Sequence, residues 1–111
     1  MNNFHASVVE RRITVTKDFA SHPMEAGWAL EAIFFLVVEE VSGVQTSLDV
    51  DVEISADGIN WIPEGTVFPT IRSEGHYAVR VSHFGNWLRV HGKMGGANPL
   101  FKLSVHLHLK G

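Results

Sequence analysis

Residues 37–58, VVEEVSGVQTSLDVDVEISADG, run as strand, glycine-centred break and strand, and residues 88–111, LRVHGKMGGANPLFKLSVHLHLKG, repeat that plan. Gly43 stands five residues before Leu48, and Gly96 stands five before Phe101. Superposed on the glycines, Leu48, Val50, Val52 and Ile54 fall on Phe101, Leu103, Val105 and Leu107. Alternation of this kind marks a strand with one buried face. The intervening residues are Asp49, Asp51 and Glu53 in the first copy, but Lys102, Ser104 and His106 in the second. The sequence therefore predicts two hairpins, each looping at its glycine. Their apolar faces bury one another, and their polar faces carry opposite charge.

Outward from these stretches the chain continues in strands. Ile13 and Val15 alternate with polar neighbours in an opening strand, and residues 18–27 are irregular around Pro23 and Gly27. WALEAIFFLVVEEV (28–41) fits a helical face at Leu30, Ile33, Phe34, Val37 and Val41, yet it is rich in β-branched and aromatic residues. Its counterpart in the repeat, NWLRVHGKM, is too short and polar for a helix, so strand is the reading, with a short helix over 24–33 as the alternative. Asp57-Gly58 is a tight-turn pair that needs positive φ at the glycine. Trp61 then lies over the edge of the core. GTVFPT (65–70) is an edge or a loop because of Pro69. Tyr77, Val79 and Val81 make another strand, Leu88 and Val90 run inward, and the last strand ends in Leu103–Leu109. About seven or eight short strands with turn chemistry between them predict one all-β domain, residues 1–111, an antiparallel, jelly-roll-like β-sandwich.

A chain of 111 residues with 45% apolar content has enough material for a single core, burying about two-thirds of its unfolded surface. No apolar run approaches the roughly 20 residues of a membrane helix. The first twelve residues lack a signal-peptide core, so no membrane partner is expected. Cysteine is absent, which removes disulfides and thiolate metal sites. Net charge is −3, but ten carboxylates and no Lys or Arg lie between Asp18 and Ile71, whereas six Lys/Arg and five of the seven histidines follow from Arg72. Only the second half would attract nucleic acid and the first would oppose it, so no nucleic-acid partner is expected. Opposite charges on neighbouring strands support pairing within the subunit. They also permit a contact between subunits, which makes a homo-oligomer the expected state.

Val41, Ser42, Gly43, Leu48, Val50, Val52, Ser55, Asp57, Gly58 and Trp61 meet the stretch V-S-G-T-x-P-T-L-x-V-x-V-x-x-S-x-D-G-x-x-W, apart from the loop proline, where Gln45-Thr46-Ser47 stands. Gly95, Gly96, Pro99, Phe101, Val105 and Leu107 meet G-G-x-x-P-x-F-x-x-x-V-x-L, with Gly111 two residues late for the closing glycine. On these residues, roughly the last two-thirds of the chain resembles small β-sandwich proteins of tailed bacteriophages and prophages. That resemblance implies a virion-associated, decoration-like structural protein, made in the host cytoplasm, with other virion proteins as partners. Ser55, Asp57, Gly58 and Trp61, followed by Trp87, Leu88, Arg89 and Val90, are more distantly similar to discoidin-type binding sandwiches, which implies carbohydrate binding as the alternative.

No catalytic motif is present, so no enzyme and no cofactor are expected. Asp49, Asp51 and Glu53 lie about 7 Å apart along one strand, spread rather than converging as a calcium site requires. His106 and His108, with His91 on a neighbouring strand, have the spacing of a zinc site, but Lys102 and Lys110 share their face. They read instead as a basic face that gains charge below about pH 6.5. The candidate interaction surface is therefore Asp49, Asp51 and Glu53 with Arg89, Lys102, His106 and His108. Trp61 and Trp87, each following a turn, are the candidates for stacking on a sugar, although as large aromatics in a small sandwich they better suit a lid over the core.

Overall fold

Ala32, Phe34, Leu36 and Val38 are buried, and the residues between them are half-buried. This period of two settles residues 31–41 as strand. The alternative of a helix over 24–33 is not realised. The computed structural model describes residues 3–111. Its elements in chain order are β1 (Phe4–Val15), β2 (Phe19–Ala20), β3 (Met24–Glu25), β4 (Glu31–Ser55), β5 (Ile62–Val67), β6 (Gly75–Ser82) and β7 (Trp87–Lys110).

Strands β4 and β7 dominate the molecule and pair antiparallel from Glu31–Lys110 at one end to Ser55–Trp87 at the other. A straight β7 of 24 residues would reach about 80 Å at about 3.3 Å per residue. The longest dimension of the whole molecule is 47 Å. The paired ribbon must therefore bend back on itself, and the segment between β3 and β4 ties the two ends of β7 together. Ala26 N donates to Asn86 O at 2.6 Å, and Leu30 N donates to Lys110 O at 2.8 Å. The bend falls at the register shifts between Ser42 and Ser47, opposite Gly95–Leu100.

Two arms result. The first holds β1, the second half of β7, the first half of β4, and β6. The second holds β2 and β3, the first half of β7, the second half of β4, and β5. Phe34, Leu36, Leu103 and Val105 of the first arm and Leu48, Val50, Val52 and Val90 of the second belong to one buried cluster. The architecture is thus all-β and antiparallel, one continuous sheet folded into a sandwich. Phe68 and Ile71, on either side of Pro69, also enter the core, as the chain after β5 follows the β4 edge through Phe68 N to Val50 O and Ile71 N to Leu48 O.

The expectation of hairpin loops at Gly43 and Gly96 is corrected. Neither glycine reverses the chain; both lie inside the long strands, at the corner. Gly43 (φ 110°) and Gln45 (φ 52°) on β4 are matched by Gly96 (φ 98°) and Asn98 (φ 48°) on β7. A Cβ on Gly43 would stand 2.5 Å from Asn98 O, and one on Gly96 would stand 2.6 Å from Gln45 O. The two strands cross here too closely for side chains. The equivalence of the two glycines and the burial of Leu48, Val50, Val52, Phe101, Leu103, Val105 and Leu107 do agree with the superposed repeat. At the chain ends, Asn3 N donates to Gly111 O and Gly111 N to Asn3 O, at 2.8 and 3.0 Å.

Candidate assembly surface

Each arm turns one face to the core and one outward, and the two outer faces differ in chemistry. On the second arm, Asp49, Asp51 and Glu53 of β4 stand opposite Lys93, His91 and Arg89 of β7. Arg89 Nε donates to Glu53 Oε1 at 2.7 Å, with both side chains at least three-quarters buried. His91 Nδ1 lies 3.5 Å from Asp51 Oδ1, and Thr70 Oγ1 donates to Asp49 Oδ1 at 2.6 Å. The acidic strand is thus faced by a basic strand of its own subunit, the arrangement cross-strand pairing favours. Each carboxylate has a different neighbour.

The tryptophans of this arm are engaged. The Arg89 guanidinium carbon sits 4.4 Å from the Trp61 ring centroid, a cation–π contact that also holds Arg89 for Glu53. Trp87 lies against Gly58, where an added Cβ would stand 3.0 Å from the indole. Gly58 has φ 77°. Asp57 closes the turn by accepting from the backbone N–H groups of Ile59 and Asn60 at 2.9 and 2.8 Å. The Asn60 and Ile59 N–H bonds, followed by the Asn60 and Ser55 side chains, hold the Asp57 carboxyl well below the usual carboxylate range.

Lys102, His106 and His108 belong to the other arm. Lys102 faces Glu40 on β4 and Thr14 on β1. His106 stands between Val8 and Phe35, and His108 between Ala6 and Ile33. They are therefore not the counter-charge to Asp49, Asp51 and Glu53, because β7 passes through the corner and carries its two halves to opposite sides of the sandwich. For the same reason His91 does not join them.

The first arm's outer face mixes apolar and basic side chains. Ile33, Phe35 and Val37 are half-buried down the middle of it, and Phe4 and Val8 on β1 are 60% and 38% exposed. His108 meets Phe4 edge-on at 5.5 Å and Phe35 at 4.7 Å. On β6, His76 stands opposite Val37 and Arg80 opposite Ile33. Burial, then the nearby His108, Arg11 and His76, push His106 toward its neutral form. At one end Phe4 separates two shallow hollows, one reaching Trp28 and Met24, the other Leu30 and Gly111. Trp28 is 48% and Leu30 74% exposed. The sequence pointed to Lys102, His106 and His108 on this face but not to the apolar residues that flank them. Their signal was available in the first half of β4: Ile33, Phe35 and Val37 are apolar on the face away from the core, where polar residues belong.

No family model matches the chain, and no curated protein does. Its fold is found in solved structures. The SPBc2 prophage-derived protein YomS superposes with a TM-score of 0.59 at 9% identity, over 100% of this chain and 96% of that one. A chain from the structure of infectious bursal disease virus, Gx strain, gives a TM-score of 0.63 at 8% identity, over 98% of this chain and 32% of the viral chain. At such identities the likeness is one of fold, shared with a prophage-derived protein and with a virus. That fold is consistent with the β-sandwich the phage-type resemblance implied, and no family match confirms the motifs themselves.

Proposed function

We propose that this protein is a non-enzymatic structural component of a phage- or prophage-type particle, working by surface contact with copies of itself. The observation that carries the reading is the outer face of the first arm. It exposes Phe4 and Val8 on β1 and half-buries Ile33, Phe35 and Val37 on β4, with His106 and His108 of β7 between the two apolar rows, and apolar side chains gathered on a face turned away from the core mark a contact site. The fold shared with YomS and with a viral chain supports the structural half of the reading.

The contact first suggested by sequence, acidic face to basic face, has less support, since those charges have partners within the subunit. A sugar platform likewise has less, since Arg89 covers one side of Trp61 and Gly58 lies against Trp87. The test is mass by sedimentation or light scattering at about 100 µM, where a contact of only about −5.5 kcal/mol is half formed. The wild type is expected to exceed monomer mass. Phe35→Glu is expected to be a monomer with nearly the same melting temperature, because Phe35 points away from the core. A wild-type monomer under these conditions would end the reading.

A further inference from the structure

We propose that the outer face of the first arm is a contact between two copies of the chain that holds at neutral pH and releases when His76, His106 and His108 take up protons. The inference rests on the assembly reading above and names its partner and its control.

The partner is argued from area and charge. Four strands about 4.8 Å apart, paired over about eight residues of about 3.3 Å each, give a flat face of about 500 Å². Side-chain relief and the exposed Phe4, Trp28 and Leu30 at its end add to that. The total approaches the roughly 800 Å² per partner of a standard interface. Both signs of charge occur at both ends of the face. Glu31 stands opposite Lys110 at one end. At the other, Arg12 pairs with Glu39 at 3.2 Å and Glu40 stands opposite Lys102. A copy related by a two-fold axis can set acid against base at either end, whereas a partner of uniform charge would meet repulsion at both. Such isologous pairing is the commonest symmetry of soluble oligomers.

The control comes from what surrounds the imidazoles. His108 is wedged between Phe4 and Phe35, His106 lies between Val8 and Phe35, and His76 is beside Val37. The cationic groups on the surrounding strands are Arg11 and Arg12 from β1, Lys102 and Lys110 from β7, and Arg80 from β6, while Glu74 lies two residues before His76. From β4 the face receives Glu31 opposite Lys110 at one end, and Glu39 paired with Arg12 and Glu40 opposite Lys102 at the other. Neutral imidazoles suit a dry apolar contact. Protonated ones would add three like charges per copy to a contact whose carboxylates, Glu31, Glu39 and Glu40, already face Lys110, Arg12 and Lys102, and histidine makes that change near pH 6.5. The depressed proton affinity of His106 has the same sign.

The experiment is sedimentation equilibrium of the full chain at constant ionic strength, at about pH 7.5 and about pH 5.5, with circular dichroism to confirm that it stays folded. The wild type should be dimeric at the higher pH and should lose at least about tenfold in association constant, or about 1.4 kcal/mol, at the lower. The slope of log association constant against pH should correspond to more than one proton taken up per dimer dissociated, a readout that needs no variant. His106→Gln with His108→Gln should remain dimeric at both values. Should that pair fold poorly, His76→Gln at the exposed β6 edge should reduce the slope. A wild type that is dimeric at both values overturns the pH release and leaves the assembly reading intact. A wild type that is monomeric at both overturns both. Acid dissociation that persists in the histidine variants overturns the assignment to these side chains.

Discussion

Gly58 carries two constraints at once. Its φ of 77° lies in the left-handed region, and the Trp87 indole stands where a side chain would begin. Gly58→Val should therefore cost more than the about 1–2 kcal/mol of a left-handed β-branched residue alone. A urea melt indistinguishable from wild type would refute that. The Asp57 carboxylate is the other half of the turn. Its folded-state proton affinity is depressed, so the stability it contributes is present above its unfolded value near pH 4 and is lost as pH falls through its folded one. Asp57→Ala should lower the melting temperature at neutral pH and narrow the difference from wild type in strong acid. This turn was legible in the sequence because Asp-Gly encodes it locally. The coupling to Trp87 was not, since it joins residues 29 positions apart.

At the scale of elements, the corner where β4 and β7 bend depends on a matched pair of left-handed sites on each strand. Gly43→Ala should destabilise by at least about 2 kcal/mol, from the left-handed φ and from a Cβ that would stand 2.5 Å from a backbone oxygen. Gln45 occupies the position that Asn98 fills on the other strand. Asn tolerates that conformation better, so Gln45→Asn should be neutral or stabilising by up to about 1 kcal/mol. Paired thermal melts would check both. The sequence pointed to these glycines and to the inward residues of both copies, because alternation and positive φ are local properties. It misread what the glycines do. A left-handed glycine serves a reversal and a bulged bend equally well, and only the pairing of β4 with β7 across the corner separates the two. The same fact explains the misplaced counter-charge: whether Lys102 or Lys93 faces Asp49 depends on register, which lies outside any single segment.

For the whole molecule, the second half of β7 is the strand that both β1 and β4 need. Phe101, Leu103, Val105, Leu107 and Leu109 are all buried. At about 1.5–3 kcal/mol each, their burial amounts to roughly the entire net stability of about 5–15 kcal/mol expected of a domain. A chain ending at Leu100 should be unfolded, and a native-like far-ultraviolet spectrum from it would contradict the architecture. The short separation of the described ends has a mechanical consequence. Asn3 and Gly111 form the first rung of the ladder between β1 and β7, which are antiparallel and open at that end. A force applied between these two residues acts across the rungs, not along the strands. It loads one pair of bonds at a time, so β1 should peel from β7 like a zipper at low force while the folded ribbon behind it holds. The same force applied between Asn3 and Phe101, at opposite ends of the two paired strands, would run along them, meet the whole β1–β7 ladder in shear, and require many bonds to fail together.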